Sequence, residues 1–278
     1  EPPDSVVVTC DTDSGAIGDL LDRTWPRVGD RLRRKGSRVP RLLHVQRAHQ
    51  GEPRLNQVRN NGLRALLDSG AHQSSLVVTI DGDMALSPDA VAAHRKLAAA
   101  GADVIVAFRV NLSESRTQAI DAEKILKGGE AEWMQIEPDL LDALTRRDRR
   151  YRRQLLLRQT LPLLSKSHKP KLLGGHHAVR LNALLAVNGY DEEFTGYGYD
   201  DDDLARRLHL LGGLSWSIAV STIPAFHLWH PTRAPTRPTD APGFARFSRR
   251  DLPVRTERGI ASPLSQPLPV VRQVLCES

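Results

Sequence analysis

Leu76-Val77-Val78-Thr79-Ile80 runs straight into Asp81-Gly82-Asp83, and this change from apolar to acidic residues decides how the chain is read. Five residues that are nearly all apolar or β-branched form a buried-strand pattern. In open α/β sheets ligands bind beyond the carboxyl ends of the strands, so Asp81 and Asp83 stand where a ligand would sit. Gly82 lets the backbone come close. An acid pair here suits a hard divalent cation that also holds substrate phosphates, as Mg²⁺ or Mn²⁺ does. Taken alone, the same three residues also make an ordinary turn.

The alternation of strand and helix patterns continues on both sides. Residues 5–10 and 42–46 read as strands. A helix starts near Ala16 and is interrupted at Trp25-Pro26, because helix is disfavoured at the residue before proline. Leu55, Val58, Gly62 and Leu66 share one helical face. Downstream, Ser87-Pro88-Asp89 supplies a cap, a proline at the first helical position and an acid in the first turn, and residues 103–110 read as a fourth strand. This order predicts an α/β fold with one mostly parallel sheet covered by helices on both faces. Residues 111–171 read as helices and loops. Regular structure resumes at Leu172, with helices over 181–186 and 203–211 and strands over 215–220 and 223–226. Eight of the 18 prolines fall in the last 48 residues, which predicts a tail that wraps the surface or stays partly disordered. The division is therefore 1–110, 111–171 (a helical basic insert), 172–231 (the second half of the same domain) and 232–278 (the tail).

The chain has 278 residues, 40% hydrophobic and 26% charged, values that exclude a fibrous or wholly disordered protein. Two cysteines, Cys10 and Cys276, make no disulfide framework and no zinc-binding pair, which points to a reducing compartment. No apolar run reaches the roughly 18 residues of a membrane span, and Glu1-Pro2-Pro3-Asp4 does not read as a signal peptide. The expected location is cytoplasmic, peripheral on the inner face of the membrane.

Two further clusters carry chemistry. Asn188-Gly189-Tyr190-Asp191-Glu192-Glu193-Phe194-Thr195-Gly196-Tyr197-Gly198-Tyr199 leads into Asp200-Asp201-Asp202-Asp203. Acids entering a helix are favoured by its dipole, while a glycine–aromatic loop predicts exposed ring faces of the kind on which sugars stack. His227-Leu228-Trp229-His230 follows the strand over 223–226. Either histidine can join an acidic cation site, and mixed oxygen and imidazole ligation suits Mn²⁺ better than Mg²⁺.

These elements, in this order and spacing, resemble the family 2 glycosyltransferases of the GT-A fold. The closest likeness is a bacterial group whose C-terminal half is similar to the β-1,4-galactosyltransferase module. The resemblance runs from about Pro3 to Pro231 and includes Arg59-Asn60-Asn61-Gly62, similar to that family's Arg-Asn-x-Gly helix beside the nucleotide. It implies a Rossmann-like sheet and an inverting, metal-dependent transfer from a UDP-sugar to a saccharide or lipid-linked saccharide during surface polysaccharide synthesis. By the same resemblance Asp11, Arg59, Asn60, Asp81 and Asp83 face the donor, and Asp83, His230 and His227 hold Mn²⁺ or Mg²⁺. Gly175, His176, Tyr197 and Gly198 face the acceptor. Asp201 is the general base with Asp200 beside it, and Asp202 and Asp203 point elsewhere on the helix.

There are departures from the pattern. Asp200 stands where the family has Glu, and Tyr197 where it usually has Trp. Residues 3–14 look like the family's second strand, so the first β-α unit is expected to be absent. That leaves a catalytically inactive sugar- or nucleotide-binding domain as the alternative. Paired carboxylates also suit a glycoside hydrolase, but the Asp-x-Asp and the two histidines argue against a metal-free hydrolase.

Between Thr145 and Lys171 ten Lys or Arg residues face one acid, Asp148, although the whole chain is only +6. This segment, from Arg146 to Lys171, reads either as a solvated helix or as a peripheral contact with anionic lipid. Few aromatics are interleaved with the arginines, which argues against nucleic acid.

Overall fold

The computed structural model describes residues 2–127, 134–231, 237–249, 251–264 and 269–276. Strand β1 (Ser5–Asp11) pairs in parallel with β2 (Arg41–Arg47), and helix α1 (Ala16–Arg34) connects them. Helix α1 passes through Pro26 without interruption, contrary to the break expected at Trp25-Pro26. Proline removes one helical hydrogen bond, but the C-terminal segment braces this turn. Arg272 reaches Asp22 (2.8 Å), and the Cys276 thiol donates to the Trp25 carbonyl (3.3 Å).

Helix α2 (Leu55–Asp68) leads to β3 (Leu76–Ile80), which matches the strand read from the sequence. Strand β4 (Met84–Leu86) follows at once, and α3 (Ala90–Ala99) begins at Ala90 rather than at Pro88, with Asp89 instead of Ser87 as its cap. The single strand expected over 103–110 is two strands, β5 (Val104–Val106) and β6 (Phe108–Asn111). They part at the fully buried Ala107 and enter different sheets.

Helices α4 (Glu114–Gln118), α5 (Ala122–Lys127) and α6 (Pro138–Thr160) then lead to β7 (His176–Arg180) and α7 (Leu181–Ala186). Helix α8 (Asp200–Leu211) takes all four acids into its first turn. Strands β8 (Trp216–Ile218) and β9 (Pro224–His227), helix α9 (Phe244–Phe247) and strand β10 (Val270–Val274) complete the chain.

The strands form three small mixed sheets, ordered β1-β2-β10, β3-β7-β5-β8 and β4-β9-β6. This corrects the expectation of one mostly parallel sheet. The physical reason lies in strands that arrive late in the chain. Strand β7 returns antiparallel between β3 and β5, β9 runs antiparallel to β4, and β10 is antiparallel to β2. Each inserts where βαβ logic places a parallel neighbour.

The tail is docked where it is described. Thr256 and Ile260 are buried, and Asn188 holds residues 256–262 by donating to the Thr256 carbonyl (2.9 Å) and accepting from the Ala261 amide (2.8 Å). Tail residues 232–236, 250, 265–268 and 277–278, and residues 128–133 of the basic insert, lie outside the described residues.

Candidate functional site

Short β4 and β9 fix the first half of the site. Their register sets Met84 opposite His227, and the Leu228 amide donates to the Asp83 carbonyl (2.9 Å). The end of the Asp81-Gly82-Asp83 turn thus lies beside the end of the strand that carries the histidines. Asp83 Oδ2 stands 3.2 Å from His227 Nε2 and 3.0 Å from His230 Nε2. One ligand atom from each of these three residues lies within 4.8 Å of the others.

Asp83 Oδ1 is buried with no hydrogen-bond partner, a state that costs free energy unless something satisfies it. Burial first, and then the Arg109 guanidinium, lower the pKa of His227, which keeps its imidazole neutral, as a ligand must be. One carboxylate and two imidazoles with an unsatisfied oxygen fit a divalent cation of the Mn²⁺ type.

The second half is organised by Arg59 on α2. Its guanidinium meets Asp200 (2.7 Å) and Asp201 (3.3 Å) on α8, and Asp81 (3.2 Å) at the end of β3. It also lies over the Tyr190 ring, 5.2 Å from the centroid. One cation therefore ties the Asp-x-Asp turn to the acidic helix. Asp201 is pushed up to about 8, by burial first and by the neighbouring Asp200 charge second, against the opposing pull of Arg59. The helix-dipole argument for an ionised Asp201 is thus outweighed by desolvation.

The loop before β7 closes the arrangement. At Gly174 a Cβ would run into the Asp201 carboxylate, and at Gly175 it would lie 3.4 Å from both Asp81 Oδ2 and Arg109 Nη1.

The remaining acids of the run have separate partners. Asp202 faces Lys171 (3.3 Å) and Lys169 (3.7 Å). Asp203 is 1% exposed and accepts from Arg206 and from Arg207 (2.7 Å).

Other residues singled out in the sequence have partners of their own within the fold. Asp11 ends β1 and is engaged by Arg47 (2.6 Å) and the Arg54 amide (3.2 Å). Asn60 is fully buried and braces the 188–192 loop, donating to the Tyr190 carbonyl (2.8 Å) and Glu192 (2.9 Å). His176 is fully buried in β7, its Nδ1 donating to the Phe108 carbonyl (3.3 Å) and its Nε2 against His94 Nε2 (3.0 Å). Neither Asn60 nor His176 presents a polar atom to a cleft.

The expected row of open aromatic faces is also corrected. Tyr190 and Phe194 are buried, and Tyr199 stacks on Phe247 of the tail (4.9 Å between centroids). Tyr197 is 43% exposed. Beside it Gly198 has φ +93°, and a Cβ there would lie 3.1 Å from Ala241. The tail partners Tyr199 and, through Arg246, Phe194, whereas Tyr190 is held by Arg59 and His177.

Sequence reasoning missed Arg109, His177 and Tyr190. His177 Nδ1 donates to the Leu173 carbonyl (2.8 Å), leaving Nε2 to the Tyr190 hydroxyl (2.9 Å). The histidine pair flanking the glycine loop was the available signal; Arg109 offered none.

A family profile described as the N-terminal domain of galactosyltransferase matches residues 161–228. This span holds the glycine loop, β7, the acidic helix and His227, and it indicates a glycosyltransferase related to β-1,4-galactosyltransferase. No curated protein matches the chain.

Proposed function

We propose that the chain is a metal-dependent, inverting glycosyltransferase that moves a sugar from a UDP-sugar to a saccharide or lipid-linked saccharide in surface polysaccharide synthesis. The observation that carries this reading is the convergence of Asp83, His227 and His230 beside an Arg59 bridge to Asp81, Asp200 and Asp201. Asp83, His227 and His230 would hold the cation, which when bound neutralises charge developing on the leaving diphosphate.

The chain's own groups do the rest. Arg59 balances the acids and fixes Asp201 at the mouth of the Gly174-Gly175 loop. Asp201 takes the acceptor proton, and a base with a pKa near the working pH suits that task, contributing about 10²–10⁴-fold. A single displacement inverts the anomeric centre. Asp11 and Arg47 at the ends of β1 and β2 support the donor side.

Release of UDP from UDP-galactose and its analogues, measured with and without Mn²⁺ and with saccharide acceptors, tests the reading. A chain that binds UDP yet never releases it from any donor is the inactive binding domain instead.

A further inference from the structure

Residues 149–190 contain no Asp or Glu at all. Helix α6, which runs into this stretch, buries one side through Leu144, Asp148 and Tyr151. Its other side carries Arg146, Arg149, Arg150 and Arg153, all exposed and spaced i, i+3, i+4, i+7 on one helical face.

The fold uses mainly the neighbouring arginines; of these four, Arg150 lies over the adjacent Tyr151 ring, 5.8 Å from its centroid. Arg147 lies over the Phe108 ring (4.0 Å), Arg152 pairs with Asp148, and Arg158 donates to Ser165 and the Lys166 carbonyl. Among the described residues no carboxylate pairs with Arg146, Arg149, Arg150 or Arg153.

The face ends in apolar residues. Leu156 is 59% exposed, Leu161 54%, Leu163 98% and Leu164 72%. These leucines are held outward by construction. Pro162–Leu164 form a 3-10 turn that is tied at its base by the Ser165 hydroxyl donating to the Pro162 carbonyl (2.8 Å) and by Arg158 donating to Ser165 Oγ (3.2 Å). Beyond the turn Lys166 is exposed, and Lys169 and Lys171 reach Asp202 on α8.

We propose that this face is a membrane-docking surface. Leu161, Leu163 and Leu164 enter the boundary between headgroups and acyl chains, while Arg146, Arg149, Arg150 and Arg153 meet anionic headgroups. A basic stripe continued by projecting leucines matches that boundary in both charge and polarity. A second copy fits poorly, since a two-fold contact would set like arginines against each other. Nucleic acid offers the leucines nothing to enter, and the one ring of this helix, Tyr151, is buried. Docking brings Lys166 and Ser167 to the lipid surface, and from there the chain runs back into the fold to Gly174 beside Asp201. The added inference that the acceptor is lipid-borne rests on the proposed transferase activity; docking itself does not.

Sedimentation with vesicles tests docking without turnover, so it can fail while UDP release succeeds, and the reverse. The full chain is expected to bind phosphatidylcholine vesicles containing phosphatidylglycerol, to bind phosphatidylcholine alone weakly, and to lose binding as salt shortens the screening length below about 8 Å. Arg149→Gln and Arg153→Gln should each lower partitioning by about fivefold, equivalent to about 1 kcal/mol. Leu163→Ser with Leu164→Ser should lower it by at least about tenfold with the melting temperature unchanged, since both side chains are solvent-exposed. Equal binding to both lipid compositions, no binding, or variants that bind as wild type would overturn the proposal. So would a dimer seen by light scattering, or RNA binding, that the leucine variant abolishes in a chain that ignores vesicles.

Discussion

Four consecutive aspartates open helix α8, and the structure predicts four different results when each is changed singly to Asn. Asp203 is 1% exposed and holds Arg206 and Arg207. Arg207 is itself 1% exposed and also donates to the Val187 (3.0 Å) and Gly189 (2.7 Å) carbonyls. Asp203→Asn leaves that guanidinium buried without its counter-charge, a loss of about 3–5 kcal/mol, set against a total stability of roughly 5–15 kcal/mol. Asp202 faces lysines that are a quarter to a third exposed, 25% and 34%, so Asp202→Asn should cost no more than about 1 kcal/mol. Asp201→Asn should cut turnover by about 10²–10⁴-fold by removing the ionised fraction that serves as the base. It should raise rather than lower stability at neutral pH, because the folded chain no longer has to hold a proton that the unfolded chain releases. Between its ordinary value and about 8 the folded chain keeps a proton that the unfolded chain releases. Wild-type stability therefore falls as pH rises through that window, and the variant lacks this slope. Asp200→Asn removes the neighbouring charge that raises Asp201, so the acid limb of the rate profile should move to lower pH. Urea melts at several pH values and initial rates of UDP release read all four. An Asp203→Asn chain as stable as wild type, or an Asp201→Asn chain with near-full turnover, would refute the assignment of partners along this turn.

Asp83→Ala should lose Mn²⁺-dependent UDP affinity with the fold retained, and His230→Ala should weaken metal binding; titration calorimetry showing wild-type affinity in Asp83→Ala would remove the metal assignment. Burial lowers His94 to about 3 and His176 and His177 to about 4. Their contribution is thus complete above the unfolded value near 6.5 and is lost as pH falls towards 4, roughly 1–2 kcal/mol per residue by pH 5, visible as a falling melting temperature in circular dichroism. Asn188→Ala removes bonds to Thr256, Ala261 and Ser262 and should cost about 2–4 kcal/mol, with limited proteolysis of the 254–264 segment as its signature.

The sequence exposed those elements whose signal is local. Strand β3 was legible because five apolar residues end on acids, and α7 because its apolar spacing is self-contained. The partition of residues 103–110 was not legible, since a change of sheet at Ala107 leaves no periodic trace. Strand β10 was hidden because its partner, β2, lies more than 220 residues away in the chain. The same distance problem governed the site. Residue types at Asp83, His227 and His230 suggested cation chemistry, whereas the orphaned Asp83 Oδ1 needed coordinates to be seen. Asn60 and His176 sat inside matching motifs, yet their roles follow from burial that no motif encodes. The acidic run shows the limit most sharply, because one helical turn sends neighbouring carboxylates to Arg59, to the lysines and to Arg207.

What holds the candidate metal ligands together is a short piece of sheet. Strands β4 and β9 share only three residue pairs, Met84 with His227, Ala85 with Phe226 and Leu86 with Ala225. A one-residue slip in such a ladder turns every side chain to the opposite face, which would carry His227 away from Asp83. The register is pinned from the other edge, where β6 pairs with β9 through Val110 and Phe226, both nearly fully buried. Arg109 sits in that same strand and faces the Gly175 loop. The core that packs Val110 and Phe226 is therefore what keeps the candidate metal ligands within reach of one another, and a cavity there, such as Phe226→Ala, should weaken Mn²⁺ binding although it touches no ligand.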